Sequence, residues 1–414
     1  MRAGVKKVRS KKVLTEKSIP GYSYDVKRQR QDRDTYGFQL TRREFLKGCA
    51  AGSCILSLSS LLGVPTPSQA QLVKKALIKT KLSPWFTTLD RGEVQCELCP
   101  IRCRIPRGKR GICRVRENRD GKCYSLVYGN PCALHLDPIE KRPFFHVLPG
   151  TNSLSIATVG CNFQCKFCES WEISQASPED VYSYDVSPEM VVMKAKEMGA
   201  HAVAYAYVEP TIFYEYMLDT AHLVKKGGLL NVMHSNGFIN RVPLENLCKV
   251  LDAANIDLKG FTDIFYQKLC DGYLPPVLET LKTLKRENVH LEITNLIIPT
   301  KNDEMSVVRE MCLWVKRELG EDTPIHFSRF YPLYKLKHLP PTPVSTLEKA
   351  RSVALAAGLE YAYISRVPGH EGENTYCPRC KKMIIRRAGF MVVEMNIKGG
   401  KCGYCGKPIP GIWA

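Results

Sequence analysis

From residue 153 onward, short runs of apolar and β-branched residues alternate with charged segments of helical character. The runs occupy residues 154–159, 202–208, 229–234, 254–258, 290–298 and 325–330, and residues 359–364 resemble a seventh. The intervening segments, such as residues 188–198, 212–226, 276–287 and 305–319, are amphipathic. Strand-then-helix units repeated in this order predict a parallel α/β structure, either a barrel or an open sheet.

The pattern changes on both sides of this region. Residues 71–150 are rich in Cys, Arg, Gly and Pro and show no long helical pattern, and a proline-rich linker at residues 340–343 comes before a small module at the end of the chain. These changes predict four parts, which are a leader (1–70), an N-terminal Cys-rich region (71–150), the α/β region (151–370) and a tail (371–414).

The composition is that of an ordinary globular protein. With 44% hydrophobic and 24% charged residues, a largely disordered or collagen-like chain is excluded. The net charge is +19, but residues 1–48 alone carry fourteen basic and five acidic side chains. About half of the excess therefore belongs to the leader. No recognition motif accompanies the remainder, so nucleic acid is not expected as a partner.

Three cysteines follow the first predicted strand within one short loop. Cys161, Cys165 and Cys168 have the spacing C-x3-C-x2-C. Three thiolates so placed can bind three irons of a [4Fe–4S] cluster and leave the fourth iron open to another ligand. A structural zinc site normally has four protein ligands. Zinc with a distant fourth ligand, or three unrelated buried thiols, are the alternatives.

This loop, directly after the first strand of a parallel barrel, resembles the signature of the radical S-adenosylmethionine (SAM) enzymes. The resemblance extends over residues 90–414 to the AmmeMemoRadiSam-system radical SAM enzymes, which are relatives of pyruvate formate-lyase activating enzyme. The motifs that carry it are Cys96-x2-Cys99-Pro-x2-Cys103, Gly111-x-Cys113-x-Val-Arg116-Glu-Asn118, Asp137-Pro-Ile-Glu140-Lys141, Leu148-Pro-Gly150 and Trp171-Glu-Ile-Ser174. It implies a partial parallel (β/α)6-type radical SAM barrel flanked by the Cys-rich segment and the tail.

The resemblance also implies roles for individual residues. Cys161, Cys165 and Cys168 would ligate the cluster, and five residues at strand ends would contact SAM. These are Glu209 at the amino group, Ser235 and Asn236 in a short SAM-binding motif, Lys259 at the carboxylate and His326 stacked on the adenine. The family has glycines where this chain has Tyr207-Val208, and the activating enzymes have an aspartate where it has His234.

The implied reaction is reductive cleavage of SAM to methionine and a 5′-deoxyadenosyl radical, which then abstracts hydrogen from a substrate. A low-potential electron donor is then required, and the family implies Memo-type and AMMECR-type proteins, or a protein substrate, as partners. The alternative is a non-catalytic iron–sulfur or zinc protein for electron transfer or nucleic-acid binding. A fourth cysteine near the loop would favour that alternative, and none occurs in sequence before Cys248.

Two further cysteine groups indicate metal sites. Cys377-x2-Cys380 and Cys402-x2-Cys405 have the spacing of a four-cysteine zinc ribbon, for which disulfides or a rubredoxin-like iron site are alternatives. Cys96, Cys99, Cys103 and Cys113 could hold zinc or an auxiliary Fe–S cluster. Ligand type alone does not choose between these two metals, and zinc is slightly favoured.

The leader resembles a twin-arginine export signal. Arg42-Arg43 comes before Phe45-Leu46-Lys47 and an uncharged run that ends in Ser68-Gln69-Ala70. The alternative is a basic tail with one buried helix. The signal favours export or membrane association, whereas SAM and its reductants are cytoplasmic resources.

Overall fold

The computed structural model describes residues 73–413. The prediction of an export signal at Arg42-Arg43 and residues 49–70 lies outside the described residues. Among those that are described, no helix combines the length and the apolar character needed to span a membrane.

The N-terminal region folds into short antiparallel strands. They are β1 (Val73–Lys75), β2 (Lys81–Leu82), β3 (Phe86–Thr88), β4 (Val94–Cys96), β5 (Arg104–Ile105), β6 (Arg116–Arg119) and β7 (Lys122–Ser125). One sheet has the order β3-β4-β5 and another the order β2-β7-β6. The buried Asn118 side chain of β6 donates to the carbonyls of Gly92 and Ile105, so it ties one of these sheets to the other.

An eight-stranded sheet forms the centre of the molecule. Its strands are β8 (Ala133–Pro138), β9 (Asn152–Ala157), β11 (Ala202–Tyr205), β12 (Leu230–Ser235), β13 (Ala253–Asp257), β14 (His290–Ile297), β15 (Ile325–Arg329) and β16 (Ala362–Ser365), while β10 (Tyr182–Tyr184) pairs with β1. The order is β16-β15-β14-β13-β12-β11-β9-β8, and all pairs from β9 to β16 are parallel. The parallel prediction is confirmed, including its seventh strand, whereas closure into a partial barrel stays a prediction.

The antiparallel edge strand β8 was not predicted. It runs Ala-Leu-His-Leu-Asp-Pro, in a region without any longer apolar run, and pairs with β9 along its whole length. His135 and Asp137 break the apolar pattern that identified the other strands. Their polarity follows from their surroundings, because Asp137 is buried against cationic side chains described below.

Helices connect the parallel strands. They are α1 (Trp171–Ser174), α2 (Pro188–Glu197), α3 (Tyr214–Lys226), α4 (Arg241–Cys248), α5 (Asp263–Leu269), α6 (Leu274–Arg286), α7 (Met305–Leu319) and α8 (Val344–Ala356). Short 3-10 turns occur at Asp90–Gly92, Ile139–Lys141, Pro178–Asp180, Pro210–Phe213, Tyr334–Leu336 and Glu371–Glu373. Side chains next to the helices fix where two of them begin. The Ser187 hydroxyl caps α2 by accepting from the N–H of Met190, and the Thr262 hydroxyl caps α5 by accepting from the N–H of Phe265.

The tail packs against the end of the central sheet. It contains β17 (Thr375–Tyr376), β18 (Met383–Ala388), β19 (Met391–Met395), β20 (Ile397–Lys398) and β21 (Lys401–Cys402). Its core joins residues of the sheet region, since Phe145, Tyr361 and Tyr363 cluster with Ile384 and Ile409. The fully buried His146 links the tail to the central sheet. One of its ring nitrogens contacts the Pro410 carbonyl of the tail and the other contacts the Tyr363 hydroxyl of β16, both at 2.6 Å. Burial lowers the pKa of His146 to about 4, which keeps this ring neutral at pH 7.

Candidate functional site

A cavity of about 420 Å³ opens at the carboxyl ends of the parallel strands. Parallel α/β sheets build ligand sites at this edge, and the volume is in the usual range for a small-molecule pocket. Side chains at or just after the carboxyl end of each parallel strand line it: Cys161, Cys165 and Cys168; Tyr207 and Glu209; His234, Ser235 and Asn236; Asp257 and Lys259; Thr294 and Leu296; Ser328; Ser365 and Arg366. Other parts of the wall come from residues 140–143 with Phe145, from further residues of the cysteine loop such as Phe167, and from Glu373, Gly389 and Phe390 of the tail.

The loop after β9 presents its three thiols to this cavity. Cys165 is buried and Cys161 and Cys168 are half-buried, and the Cys168 sulfur lies 3.2 Å from the Ser174 hydroxyl. Burial raises the pKa of Cys161 and Cys168, so iron binding here must displace protons. Three convergent thiols on the wall of a ligand-sized cavity fit the donor set of a [4Fe–4S] cluster with one open position.

The Glu209 carboxylate is held by an extensive hydrogen-bond network. Its Oε1 accepts from the N–H and hydroxyl of Thr211 and from the Ser235 hydroxyl, and its Oε2 accepts from the N–H of Asn236 at 2.8 Å. Glu209 is 2% exposed, and burial raises its pKa despite these donors. A bound ammonium group would relieve that penalty, so the site suits the amino group of SAM.

Asn236 connects this network to the cysteine loop. Its Nδ2 donates to the side-chain Oδ1 of Asn162 at 2.8 Å and lies 3.9 Å from the Cys161 sulfur. Its Oδ1 accepts from the N–H of Phe238. Glu209, Ser235 and Asn236 therefore form one hydrogen-bonded unit beside Cys161.

Lys259 does not stand alone on the cavity wall. Its ammonium is 2.8 Å from one Asp257 oxygen, and His234 Nε2 lies 2.9 Å from the other. Burial opposes ionisation of Asp257, but its cationic and hydrogen-bonding partners outweigh burial and hold its pKa below the usual range. A ligand carboxylate at Lys259 would share the ammonium with Asp257, an arrangement that the sequence did not reveal.

Tyr207 stands where the family has a glycine, and the structure shows the conformational reason for that glycine. Its φ is +67°, in the left-handed region that costs other residues about 1 kcal/mol or more. The strain is held by neighbouring contacts, since the Tyr207 hydroxyl donates to Asp137 at 2.5 Å and the Arg142 guanidinium stacks 3.9 Å from the ring centre. Arg142 also pairs with Asp137.

The prediction for His326 requires a correction. Its ring is fully buried and does not line the cavity, because Nε2 binds the buried Glu292 at 2.7 Å and the ring lies behind Phe145, 4.7 Å between ring centres. Residues two apart on a strand share a face, so His326 and Ser328 point the same way. Ser328 is nearer the carboxyl end of β15 and reaches the cavity, whereas His326 lies one step deeper.

A fourth thiol, Cys270, lies next to the cysteine loop. The Gln164 N–H donates to the Cys270 carbonyl and the Lys166 N–H to the Leu269 carbonyl, both at 2.9 Å, which sets Cys270 opposite Cys165. The neighbouring Cys270 thiol, together with burial, raises the pKa of Cys165. Cys270 is fully buried and does not line the cavity. Cys270 therefore lies on the side of the cysteine loop that faces away from the cavity, whereas an exogenous ligand would bind on the cavity side.

We predict that Cys270→Ala lowers the reduction potential of the bound cluster, because hydrogen bonds to ligand sulfurs stabilise the more negative, reduced state. Potentiometric titration followed by electron paramagnetic resonance (EPR) would measure the shift. Cys312→Ala, which removes a buried thiol of α7, is the matched control. A potential equal to that of the wild-type protein would contradict this role.

The four tail cysteines converge on one point. The sulfurs of Cys377, Cys380, Cys402 and Cys405 all lie within 4.8 Å of one another. Cys377 and Cys405 are 3.5 Å apart and Cys380 and Cys402 are 3.8 Å apart, so none is joined in a disulfide. A tetrahedral ion with metal–sulfur bonds of about 2.3 Å needs sulfurs about 3.8 Å apart, which this arrangement approaches.

Comparison with known proteins agrees with the fold and the loop. Residues 155–311 match the model of the Radical SAM superfamily, whose members use a [4Fe–4S] cluster and SAM. The chain therefore contains a radical SAM domain, which implies radical SAM catalysis.

Two curated proteins and one solved structure illustrate what the chain is similar to. An uncharacterized protein of Methanocaldococcus jannaschii is 45% identical over 327 residues, 78% of this chain and 97% of the relative. Pyruvate formate-lyase-activating enzyme of Listeria monocytogenes is 24% identical over 160 residues, 35% of this chain and 62% of that enzyme. Among solved structures, a domain of pyruvate-formate lyase-activating enzyme from Bacteroides vulgatus aligns over 40% of this chain and 99% of the domain, with 14% identity and a TM-score of 0.36.

Proposed function

We propose that this protein is an activating-type radical SAM enzyme that generates a 5′-deoxyadenosyl radical and abstracts hydrogen from a partner protein. The observation that supports this best is the shared cavity wall. Cys161, Glu209 and Asn236 meet there through direct contacts, so a cluster site and an ammonium site are adjacent. When bound, the cluster and SAM supply the one-electron cleavage chemistry.

The chain's own side chains orient and enclose the reactants. Ser235 and Thr211 fix the Glu209 carboxylate, and Glu209 Oε2 has accepted only one hydrogen bond, so it can receive another from a ligand ammonium. Phe145, Phe167 and Phe390 contribute apolar surface to the cavity. Such a wall limits water access, which protects a radical from side reactions.

A protein substrate is proposed because the cavity rim is built from several parts of the chain. Glu169 and Arg366 form an ion pair on the rim, Lys141 pairs with Asp137 at 2.7 Å, and Phe390 of the tail is 46% exposed beside them. Charged pairs around an exposed aromatic residue suit a protein surface. Memo-type and AMMECR-type proteins and a low-potential electron donor are the proposed partners.

The tail is proposed to hold zinc in a ribbon-like site. Its four convergent sulfurs support a single metal ion and do not by themselves separate zinc from iron. Zinc here is structural, since all four coordination positions are taken by protein thiolates.

The test is whether SAM binds the reduced cluster and is cleaved. Anaerobically reconstituted protein is reduced, its EPR spectrum is recorded with and without SAM, and 5′-deoxyadenosine and methionine are quantified. We expect SAM to change the spectrum and both products to form. Glu209→Gln should retain its iron but bind SAM at least tenfold more weakly, because a charge-assisted bond to the ammonium is lost.

Glu310→Gln, at an exposed position of α7, is the matched control and should behave as wild type. An unchanged spectrum with no 5′-deoxyadenosine would reject the proposal and favour a non-catalytic iron–sulfur protein.

A further inference from the structure

The N-terminal cysteines Cys96, Cys99, Cys103 and Cys113 all line one small chamber, although they come from separate turns of the Cys-rich region. Cys96 ends β4, Cys103 precedes β5, and Cys113 lies in the turn before β6. Gly111 keeps the chamber compact, because a Cβ there would lie 3.3 Å from the Cys103 sulfur. A fifth thiol, Cys123, is fully buried and is not part of the chamber lining.

The spacing of these sulfurs differs from that of the tail. In the part of the chain that the structure describes, the tail quartet is the one group whose ligand atoms all lie within 4.8 Å, and no three N-terminal sulfurs come that close together. The same holds for Cys161, Cys165 and Cys168. A single tetrahedral ion requires sulfurs about 3.8 Å apart, whereas a cubane cluster holds each thiolate on a different iron and spreads them further. The N-terminal group therefore resembles the catalytic loop and not the tail.

A buried cation on the chamber wall independently indicates an anionic occupant. Arg116 is 2% exposed, and its Nε has no hydrogen-bond partner within the described residues. Its other nitrogens donate to Glu215 at 2.6 Å and to the Ile212 carbonyl at 3.0 Å. An unpaired buried N–H is costly, and a cluster with four thiolate ligands is an anion whose sulfurs accept such bonds.

The chamber adjoins the catalytic loop directly. Asn162, the neighbour of Cys161, lines it together with Thr211, which donates to Glu209. Gly160 has φ +100°, and a Cβ there would lie 2.6 Å from the Cys113 carbonyl oxygen. The backbones of the two cysteine regions are therefore in contact immediately before Cys161.

We propose that Cys96, Cys99, Cys103 and Cys113 bind a second [4Fe–4S] cluster, separated from the catalytic loop by Gly160 and Asn162. This assignment does not depend on the activity proposed above. It replaces the zinc that the sequence slightly favoured, because the spacing of the four sulfurs fits a cluster better.

The first test is the metal content of the anaerobically reconstituted full-length protein. We expect about eight irons and one zinc per chain, since two cubane clusters accompany the single-ion tail site. About four irons and two zincs would overturn the proposal, because the N-terminal quartet would then hold zinc.

The second test separates the two clusters. The triple variant Cys161→Ala/Cys165→Ala/Cys168→Ala leaves the N-terminal quartet intact and should keep about four irons, with an EPR signal that does not respond to SAM. The double variant Cys99→Ser/Cys103→Ser should lose about four irons and keep a SAM-responsive signal. Cys132→Ser, a half-buried thiol outside the chamber, is the control and should keep both clusters.

A triple variant that binds no iron would overturn the proposal without bearing on catalysis. A double variant whose remaining cluster ignores SAM would instead count against the proposed function. The two failures are therefore distinguishable.

Discussion

A chain with Cys161, Cys165 and Cys168 all replaced by alanine is expected to form no 5′-deoxyadenosine above background. The three thiols are the protein donors that the cavity wall offers to a cluster, and SAM cleavage requires an electron from that cluster. Single alanine substitutions should reduce product by at least about a thousandfold, because partial ligation leaves a cluster labile. Product is measured chromatographically after anaerobic incubation with reductant and SAM.

Two variants control for general effects of removing a cysteine. Cys312→Ala and Cys248→Ala alter thiols on α7 and at the end of α4, away from the cavity, and should retain wild-type product formation. Circular dichroism of the triple variant should show an unchanged fold, since the central sheet does not depend on these side chains. Undiminished SAM cleavage in the triple variant would refute the assignment of the loop.

The central sheet could be predicted because its signal is local. Its parallel strands are short buried runs, most of them followed by an amphipathic segment, and β9 and β11 to β16 all appear within a few residues of the predicted positions. The edge strand β8 lacked that signal. Its Asp137 is buried against Lys141, Arg142 and Tyr207, and contacts of this kind leave no periodic pattern in the sequence.

The candidate site was predictable for a related reason. In a parallel sheet the carboxyl ends of neighbouring strands meet at one edge, so motifs at successive strand ends had to come together. Cys161, Glu209, Ser235, Asn236 and Lys259 do line one cavity. Their contacts with SAM stay a prediction, since position alone does not establish a role.

Depth along a strand was harder to predict than position in the sheet. His326 has the right face of β15 but lies two residues too early, so Glu292 and Phe145 enclose it. Cys270 is more than one hundred residues from Cys165 in sequence, and only the pairing of residues 164–166 with 269–270 brings the two thiols together. A periodicity argument contains no information on such contacts.

Removing the metal from the tail is expected to unfold residues 377–407 while the central sheet remains folded. The buried apolar cluster of the tail includes Cys377 and Cys402 themselves, with few other side chains of its own beyond Ile384 and Ile409. Structural zinc contributes about 10–16 kcal/mol in small zinc-binding peptides, so metal binding would supply most of the stability of this segment. In Cys380→Ala/Cys405→Ala, tryptic cleavage between Lys381 and Lys407 should become at least tenfold faster, as measured by mass spectrometry.

The loss should also reach the cavity, so a metal bound by the tail would matter for function. Gly389 and Phe390, at the turn between β18 and β19, form part of the cavity wall, and Arg387 anchors that hairpin by donating to the Phe145 carbonyl at 2.8 Å. A loosened tail should therefore weaken turnover of the substrate more than SAM cleavage without substrate, because Glu209 and the cysteine loop stay in place. Chelator and reductant separate the alternatives for the tail, since a zinc site loosens with chelator alone and a disulfide-linked tail with reductant alone. A tail that resists trypsin equally with and without its metal would show that the four cysteines do not hold it together.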